Sequence, residues 1–300
     1  MPLKISIFGS LVSVFLAGLI AFLSSENNLI IFGIPSLIFC AIYSFGVHWF
    51  FFIHGYLYQT EHYFDVTGSF TYISLSLVLI ISSILSINEN GFNLYSLIIG
   101  SMVIIWALRL GSFLFKRVKE VGKDVRFIEM KKDFFWFLMT WTLSGLWVFL
   151  TYAAGLLAMS SIFIETSFSY YQYFCLIIGS IVWIFGITIE VISDHQKKIF
   201  RQNISNKGKF IKSGLWSLSR HPNYFGEIIL WLGISIIALP TMDGFKYIVL
   251  ISPVFVYILL TKISGIPMLE KSSDAKWGDN PDYIEYKKNT PVLFFKKPNL

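Results

Sequence analysis

Eight runs of apolar residues, each about as long as a bilayer is thick, constrain this chain more than any other feature. They cover 5–24, 29–58, 68–87, 94–115, 134–159, 170–193, 222–239 and 247–264. About 20 apolar residues in helical form span the hydrocarbon core. Lipid offers no partners to backbone N–H and C=O groups, so only helices or closed barrels cross it. A barrel would alternate apolar and polar residues over ten-residue strands, and these runs are continuous. The expected fold is therefore all-α: a polytopic membrane bundle of about eight transmembrane helices. The second run exceeds what a bilayer needs, so it should tilt or project. The first carries one early lysine, Lys4, and no small-residue cleavage site before Glu26, so it reads as a retained helix rather than a signal peptide.

Composition closes off the alternatives. Apolar residues make up 55% of the chain and charged residues 14%, against about 25% charged in a soluble domain. That balance excludes both a soluble globular domain and a disordered one. The two cysteines, Cys40 and Cys175, sit inside apolar runs and read as small buried hydrophobes, not as a disulfide framework.

The basic residues are placed asymmetrically. Lys116, Arg117, Lys119, Lys123, Arg126, Lys131 and Lys132 follow the fourth run; Lys197, Lys198, Arg201, Lys207, Lys209 and Lys212 follow the sixth. The tail adds a third group, while 25–28, 88–93 and 160–169 contain no Lys or Arg. With eight spans, every basic loop falls on one side, and the positive-inside rule puts that side and both termini in the cytoplasm. Such loops also attract anionic membrane lipids. No nucleic-acid recognition motif accompanies the charge, so nucleic acid is not an expected partner. Nothing in the sequence specifies an oligomeric state. There is no repeat or long linker. We divide the chain into 1–133, four spans on the presumed substrate side, and 134–300, four spans holding the polar motifs, within one compact bundle.

Ionisable residues inside spans are costly and mark functional or paired positions. Four stand out: Arg109 in Trp106-Ala107-Leu108-Arg109-Leu110-Gly111, Glu190 and Asp194 at the end of the sixth run, and Glu227 in the seventh. At helical spacing Glu190, Asp194, Lys198 and Arg201 form one ladder, passing from carboxylates at membrane depth to cations outside it. That order suits a ligand with surface phosphates and a hydrogen-bonding head further in. Next, Arg220-His221-Pro222-Asn223-Tyr224-Phe225-Gly226-Glu227 reads as a helix start with Pro222 in its first turn, an anion site at Arg220 and His221, and Asn223 and Glu227 one turn apart. Glu270 and the stretch Trp277 to Pro291 suggest a short amphipathic helix folding back over the cytoplasmic mouth. His54, Tyr58 and His62, at i, i+4 and i+8, admit three readings: a structural polar stripe, substrate contacts, or metal ligands. No dense Cys/His cluster supports a metal site, so none is expected. His48 reads as a core or interface residue.

The stretch Asp194-His195-Gln196-Lys197-Lys198-Ile199-Phe200-Arg201, with Gly214-Leu215-Trp216 and Ser219 to Glu227, resembles the membrane steroid 5-alpha-reductase superfamily, in its bacterial-type branch. Asp65-Val66-Thr67-Gly68-Ser69, Arg109-Leu110-Gly111 and Gly122 to Phe127 extend the resemblance over about 60–295. It implies NADPH-dependent reduction of a conjugated C=C bond in a steroid or other enone lipid. Glu190 and Asp194 match the cofactor helix, although Glu190 stands where steroid reductases usually carry Asn. Arg201 matches a phosphate contact, and Asn223 and Glu227 match carboxamide- and ribose-side contacts. Trp216, Arg220, His221 and Tyr224 complete the implied pocket, and Arg109, Lys198 and Glu270 are assigned to the same cofactor set. There is no G-x-G-x-x-G, so a Rossmann domain is not the binder. Hydride transfer needs a dry nicotinamide and an acid that polarises the carbonyl. In steroid reductases a Glu–Tyr pair does this; the best equivalents are Glu61 and Tyr72, with Tyr58 and His62 as neighbouring alternatives. Two other functions are carried alongside. One is an S-adenosylmethionine-dependent methyltransferase of the isoprenylcysteine or phospholipid type, which shares Arg220-His221-Pro222 and Glu270. The other is a non-enzymatic membrane protein of the same fold.

Overall fold

The computed structural model describes residues 2–121, 127–162 and 168–296. Gly122 to Arg126 of the basic loop after the fourth run, residues 163–167 and Lys297 lie outside the described residues. The helices are α1 (Leu3–Leu23), α2 (Ser36–Leu57), α3 (Phe64–Leu85), α4 (Ile87–Asn90), α5 (Leu94–Val121), α6 (Phe127–Met130), α7 (Phe134–Ser160), α8 (Tyr170–Gln202), α9 (Pro222–Ala238), α10 (Ile251–Ile258), α11 (Gly265–Trp277) and α12 (Pro281–Asn289). Among the described residues, eight helical stretches are long and apolar enough to cross a membrane. The all-α polytopic fold is thus as expected. The outer face of α1, including Phe8, Phe15 and Phe22, is exposed apolar surface of the kind lipid covers.

Two spans differ from the sequence reading. The second run is not one tilted helix. Ile30–Ile31 (β1) and Ile34–Pro35 (β2) pair antiparallel around Phe32 and Gly33, whose φ values are 49° and 81°. Positive φ at both central residues is the geometry of a tight hairpin turn, so the helix begins only at Ser36. The eighth span runs over Gly244–Trp277. It consists of a 3-10 segment Gly244–Leu250, then α10, a wide π turn at Leu259–Ile263, and α11.

The chain forms two compact units, 1–175 with 237–252, and 176–236 with 253–300. The division follows Cys175, within α8, and not residue 133. The reason is α7. Its span is 89% buried, whereas no other span exceeds 50%, and it packs against α1, α2, α3 and α5 of the first unit. A helix apolar on every face belongs in a core. Asp133 caps its start, accepting from Trp136 N at 2.9 Å. Asn93 Nδ2 closes its far end by donating to the carbonyls of Ala158 and Ser161, both at 2.8 Å.

In the second unit, α8 and α9 run antiparallel in backbone contact. A Cβ on Gly186 would lie 2.5 Å from Leu230 N, one on Gly226 would lie 2.6 Å from Gly186 O, and one on Gly233 would lie 2.6 Å from Trp183 N. Only glycine permits that approach. It brings the start of α9 against the carboxylate-bearing part of α8.

Candidate functional site

The polar residues of the second unit converge where α8 leaves its apolar stretch. Glu190, Asp194 and Glu227 are buried, while Lys198 and Arg201 are exposed. The ladder expected along α8 is therefore present, with acids inside and cations outside. Asn223 Nδ2 donates to Asp194 Oδ1 at 3.3 Å, linking the first turn of α9 to α8.

The segment before α9 is held from both sides. Gly214 adopts φ +62°, and a Cβ there would sit 2.6 Å from the Gln196 side chain. The same amide oxygen accepts from Leu215 N at 3.0 Å. Trp216 is buried; its Nε1 donates to Ser193 O at 3.0 Å, and Lys197 lies 4.3 Å from its ring centre. From the other side comes the tail. Tyr286 donates its hydroxyl proton to Trp216 O at 2.6 Å, Arg220 N donates to Pro291 O at 2.9 Å, and Ser219 Oγ donates to Leu293 O at 2.9 Å. Phe210 packs among Trp277, Tyr283 and Tyr286. The short helix expected in the tail is α12, and it clasps the 214–221 segment.

Glu270 of α11 organises the entrance to α9. Arg220 Nη1 and His221 Nε2 each donate to it at 2.8 Å, one to each carboxylate oxygen. Lys287 stands 3.5 Å away and is held by Asp274 at 2.6 Å. His221 stacks on Tyr224 with ring centres 5.8 Å apart. Burial pulls the His221 pKa below its ordinary value, although Glu270 works in the opposite direction. Because Nε2 donates, Nδ1 of the neutral ring is a bare acceptor. It is buried, as is Arg220 Nε, and neither has a partner among the described residues. Burial, followed by the Asp274 carboxylate, pushes the Tyr283 phenol up to about 12.

The first unit holds the other expected residues. Arg109 is half-buried on α5. Tyr72 is buried on α3, its ring 5.2 Å from Trp106 and 5.9 Å from Tyr152. Glu61 is buried in the α2–α3 turn, where it is ion-paired with Lys131. Eight residues of helix separate Phe64 from Tyr72, roughly 12 Å along the axis, so Glu61 and Tyr72 do not share a helical turn. Tyr58 is 72% exposed and stands beside His54, ring centres 4.8 Å apart. The His54/Tyr58/His62 stripe is corrected by the end of α2. Tyr58 is its cap, Gln59 turns to φ 50°, and His62 Nδ1 instead meets Thr60 Oγ1 at 2.7 Å. Phe50, Phe51, Ile53, His54, Leu57 and Tyr58 line an open groove of about 450 Å³. Lys287, Asp274, Gln196 and Ser219 also order the site of the second unit; none was named as a site residue, although Gln196 and Ser219 stand inside the quoted motifs. For Lys287 and Asp274, only their position near Glu270 and the tail motif could have signalled them.

A family model described as "Protein of unknown function (DUF1295)" matches residues 51–290. The chain belongs to the DUF1295 family. The matched region contains every candidate site residue of this DUF1295 protein and omits α1. Among curated proteins, it is similar to the "Probable O-methyltransferase ustE" of Ustilaginoidea virens, 38% identical over 58 residues. That stretch covers 19% of this chain, which spans only about a fifth (20%) of the relative's length. No solved structure matches.

Proposed function

We propose that this DUF1295 protein is a multi-pass membrane oxidoreductase that uses NADPH to reduce a conjugated C=C bond in a lipid-like enone. The observation that carries the reading is the α8/α9 seam, where buried Glu190, Asp194 and Glu227 lie with Asn223, ahead of exposed Lys198 and Arg201. Acceptors and an amide at depth suit ribose hydroxyls and a carboxamide; cations at the surface suit phosphates. The bare Nδ1 of His221 and the unpartnered Nε of Arg220 fit a polar ligand in the same place.

When bound, NADPH would supply a hydride to the β-carbon of the enone. Glu190, Asp194, Asn223 and Glu227 would hold its sugar and carboxamide groups, and Lys198, Arg201 and Arg220 its phosphates. Trp216 and Tyr224 would keep water out, and Glu270 would fix the Arg220 and His221 side chains. The resemblance to steroid reductases gives the polarising role to a Glu–Tyr pair, here Glu61 and Tyr72, with Tyr58 as the alternative, and keeps Arg109 with the cofactor-binding residues. The site would open to the cytoplasm, with the substrate arriving from the membrane.

Purified protein titrated with NADPH and S-adenosylmethionine in parallel tests this reading. Saturable NADPH binding is expected. Asn223→Ala and Glu227→Ala should each weaken it about tenfold, equivalent to about 1.4 kcal/mol, with the unfolding temperature retained. Binding of the methyl donor without NADPH would overturn the proposal. It would favour the second reading, a methyltransferase, which the partial similarity to the fungal protein supports. Arg201→Ala separates the two, because S-adenosylmethionine has no phosphate for that cation to hold.

A further inference from the structure

In the first unit, α2 and α7 meet along a tight seam. A Cβ on Gly145 would lie 3.1 Å from Phe45 and 3.3 Å from the Ser44 carbonyl. Just beyond, Trp49 Nε1 donates across the seam to Thr142 Oγ1 at 3.0 Å. The residues next to that pair, His48 on α2 and Trp141 on α7, form no such bond. Both are buried, at 0% and 1% exposure. His48 Nδ1 lies 2.7 Å from Ser44 O. A carbonyl only accepts, so Nδ1 carries the proton and Nε2 of the neutral ring is a bare acceptor. Trp141 Nε1 can only donate. Neither atom has a partner among the described residues, nor does the buried Ser44 Oγ, one helical turn from His48. The His48 and Trp141 rings meet edge to face with centres 6.5 Å apart.

An orphaned acceptor and an orphaned donor, carried by two buried rings in edge-to-face contact, are together the complement of a hydroxyl group. We propose that one hydroxyl is bound between His48 and Trp141, donating to His48 Nε2 and accepting from Trp141 Nε1. The polar groups are neutral, which suits an uncharged hydroxyl rather than a phosphate or carboxylate. The hydroxyl comes either from a buried water or from the alcohol end of a lipid. The site is independent of the NADPH reading, since it uses none of the residues assigned to that reaction.

The test uses the full chain in phosphatidylcholine nanodiscs with ¹⁵N-labelled Trp and His, Trp141→Phe and His48→Phe assigning the two signals. The Trp141 indole N–H should appear at a hydrogen-bonded shift that moves in His48→Phe. If water fills the site, the signal is present without additive and indifferent to 1-dodecanol. If a lipid alcohol fills it, the signal shifts saturably with 1-dodecanol and not with dodecane. A Trp141 N–H at the free-indole shift, unmoved by both 1-dodecanol and His48→Phe, overturns the proposal. Should the variants fail to fold, the unaltered protein decides: a His48 Nε2 resonance of a free acceptor, with and without 1-dodecanol, also overturns it.

Discussion

Glu61 and Lys131 show how single residues act in this chain. The carboxylate is buried in the α2–α3 turn, and its ion-pair partner is the lysine of the turn between α6 and α7. Removing one member of a buried pair strands the other, at a cost of about 3 kcal/mol, while removing both costs much less. Lys131→Met should therefore lower the unfolding midpoint more than the Glu61→Gln/Lys131→Met double variant does, as read by thermal unfolding in detergent. His221 sets a pH dependence. Its pKa is lowered by burial, against the pull of Glu270. The unfolded chain takes up this proton near the ordinary value of about 6.5, and the folded chain only at lower pH. As pH falls through that interval the unfolded state binds more protons, so stability falls; above about 6.5 the contribution is fully present. The midpoint should hold steady from pH 8 to 7 and then decline toward pH 5.5, with a shallower decline in His221→Asn. An equal decline in both would remove His221 as the cause. At this scale the sequence named Arg220, His221 and Glu270, because charges near an apolar span are conspicuous. It did not reveal that Glu270 bonds both of the others, since residues 49 and 50 positions apart meet only in the fold.

Helix pairing in the second unit rests on glycine spacing. Gly179 and Gly186 on α8, and Gly226 and Gly233 on α9, are each seven residues apart, so they return to one face of their helices. The atoms that an added Cβ would strike at Gly186 are backbone, which cannot rotate away. Gly186→Ala should force the helices apart, costing about 1–3 kcal/mol. It should also weaken NADPH binding, because the Asp194–Asn223 contact at 3.3 Å depends on that spacing. An unchanged unfolding midpoint with unchanged affinity would contradict this. The spans themselves were legible, since hydropathy over 20 residues is a strong signal. The hairpin inside the second run was not, because its turn is built from Phe32 and Gly33 amid apolar neighbours and leaves no polar mark. The breaks in the eighth span were hidden because hydropathy averaged over about 20 residues does not register a change of turn type, even with Lys246, Thr261 and Lys262 in the broken turns.

Across the whole molecule, alternating basic and bare loops predict which ends of the spans share a side. Cys40 and Cys175 are both buried, so an introduced surface cysteine would report alone. Ser205→Cys and Asn88→Cys, both at exposed positions, should be labelled by an impermeant thiol reagent from opposite sides of sealed vesicles, Ser205→Cys from the cytoplasmic side. Labelling of both from one side would disprove the eight-span arrangement.

The sequence alone determined that the chain must be helical and cross a membrane about eight times, because lipid leaves the backbone no other way to satisfy its hydrogen bonds. It also marked the acids, arginines and asparagine that lipid would ordinarily exclude. Tertiary structure decided the rest. It placed α7 at the centre of the first unit, joined the tail to the 214–221 segment, and set Glu270 between Arg220 and His221. Each of these depends on contacts between residues far apart in the chain. Local pattern carries no record of them.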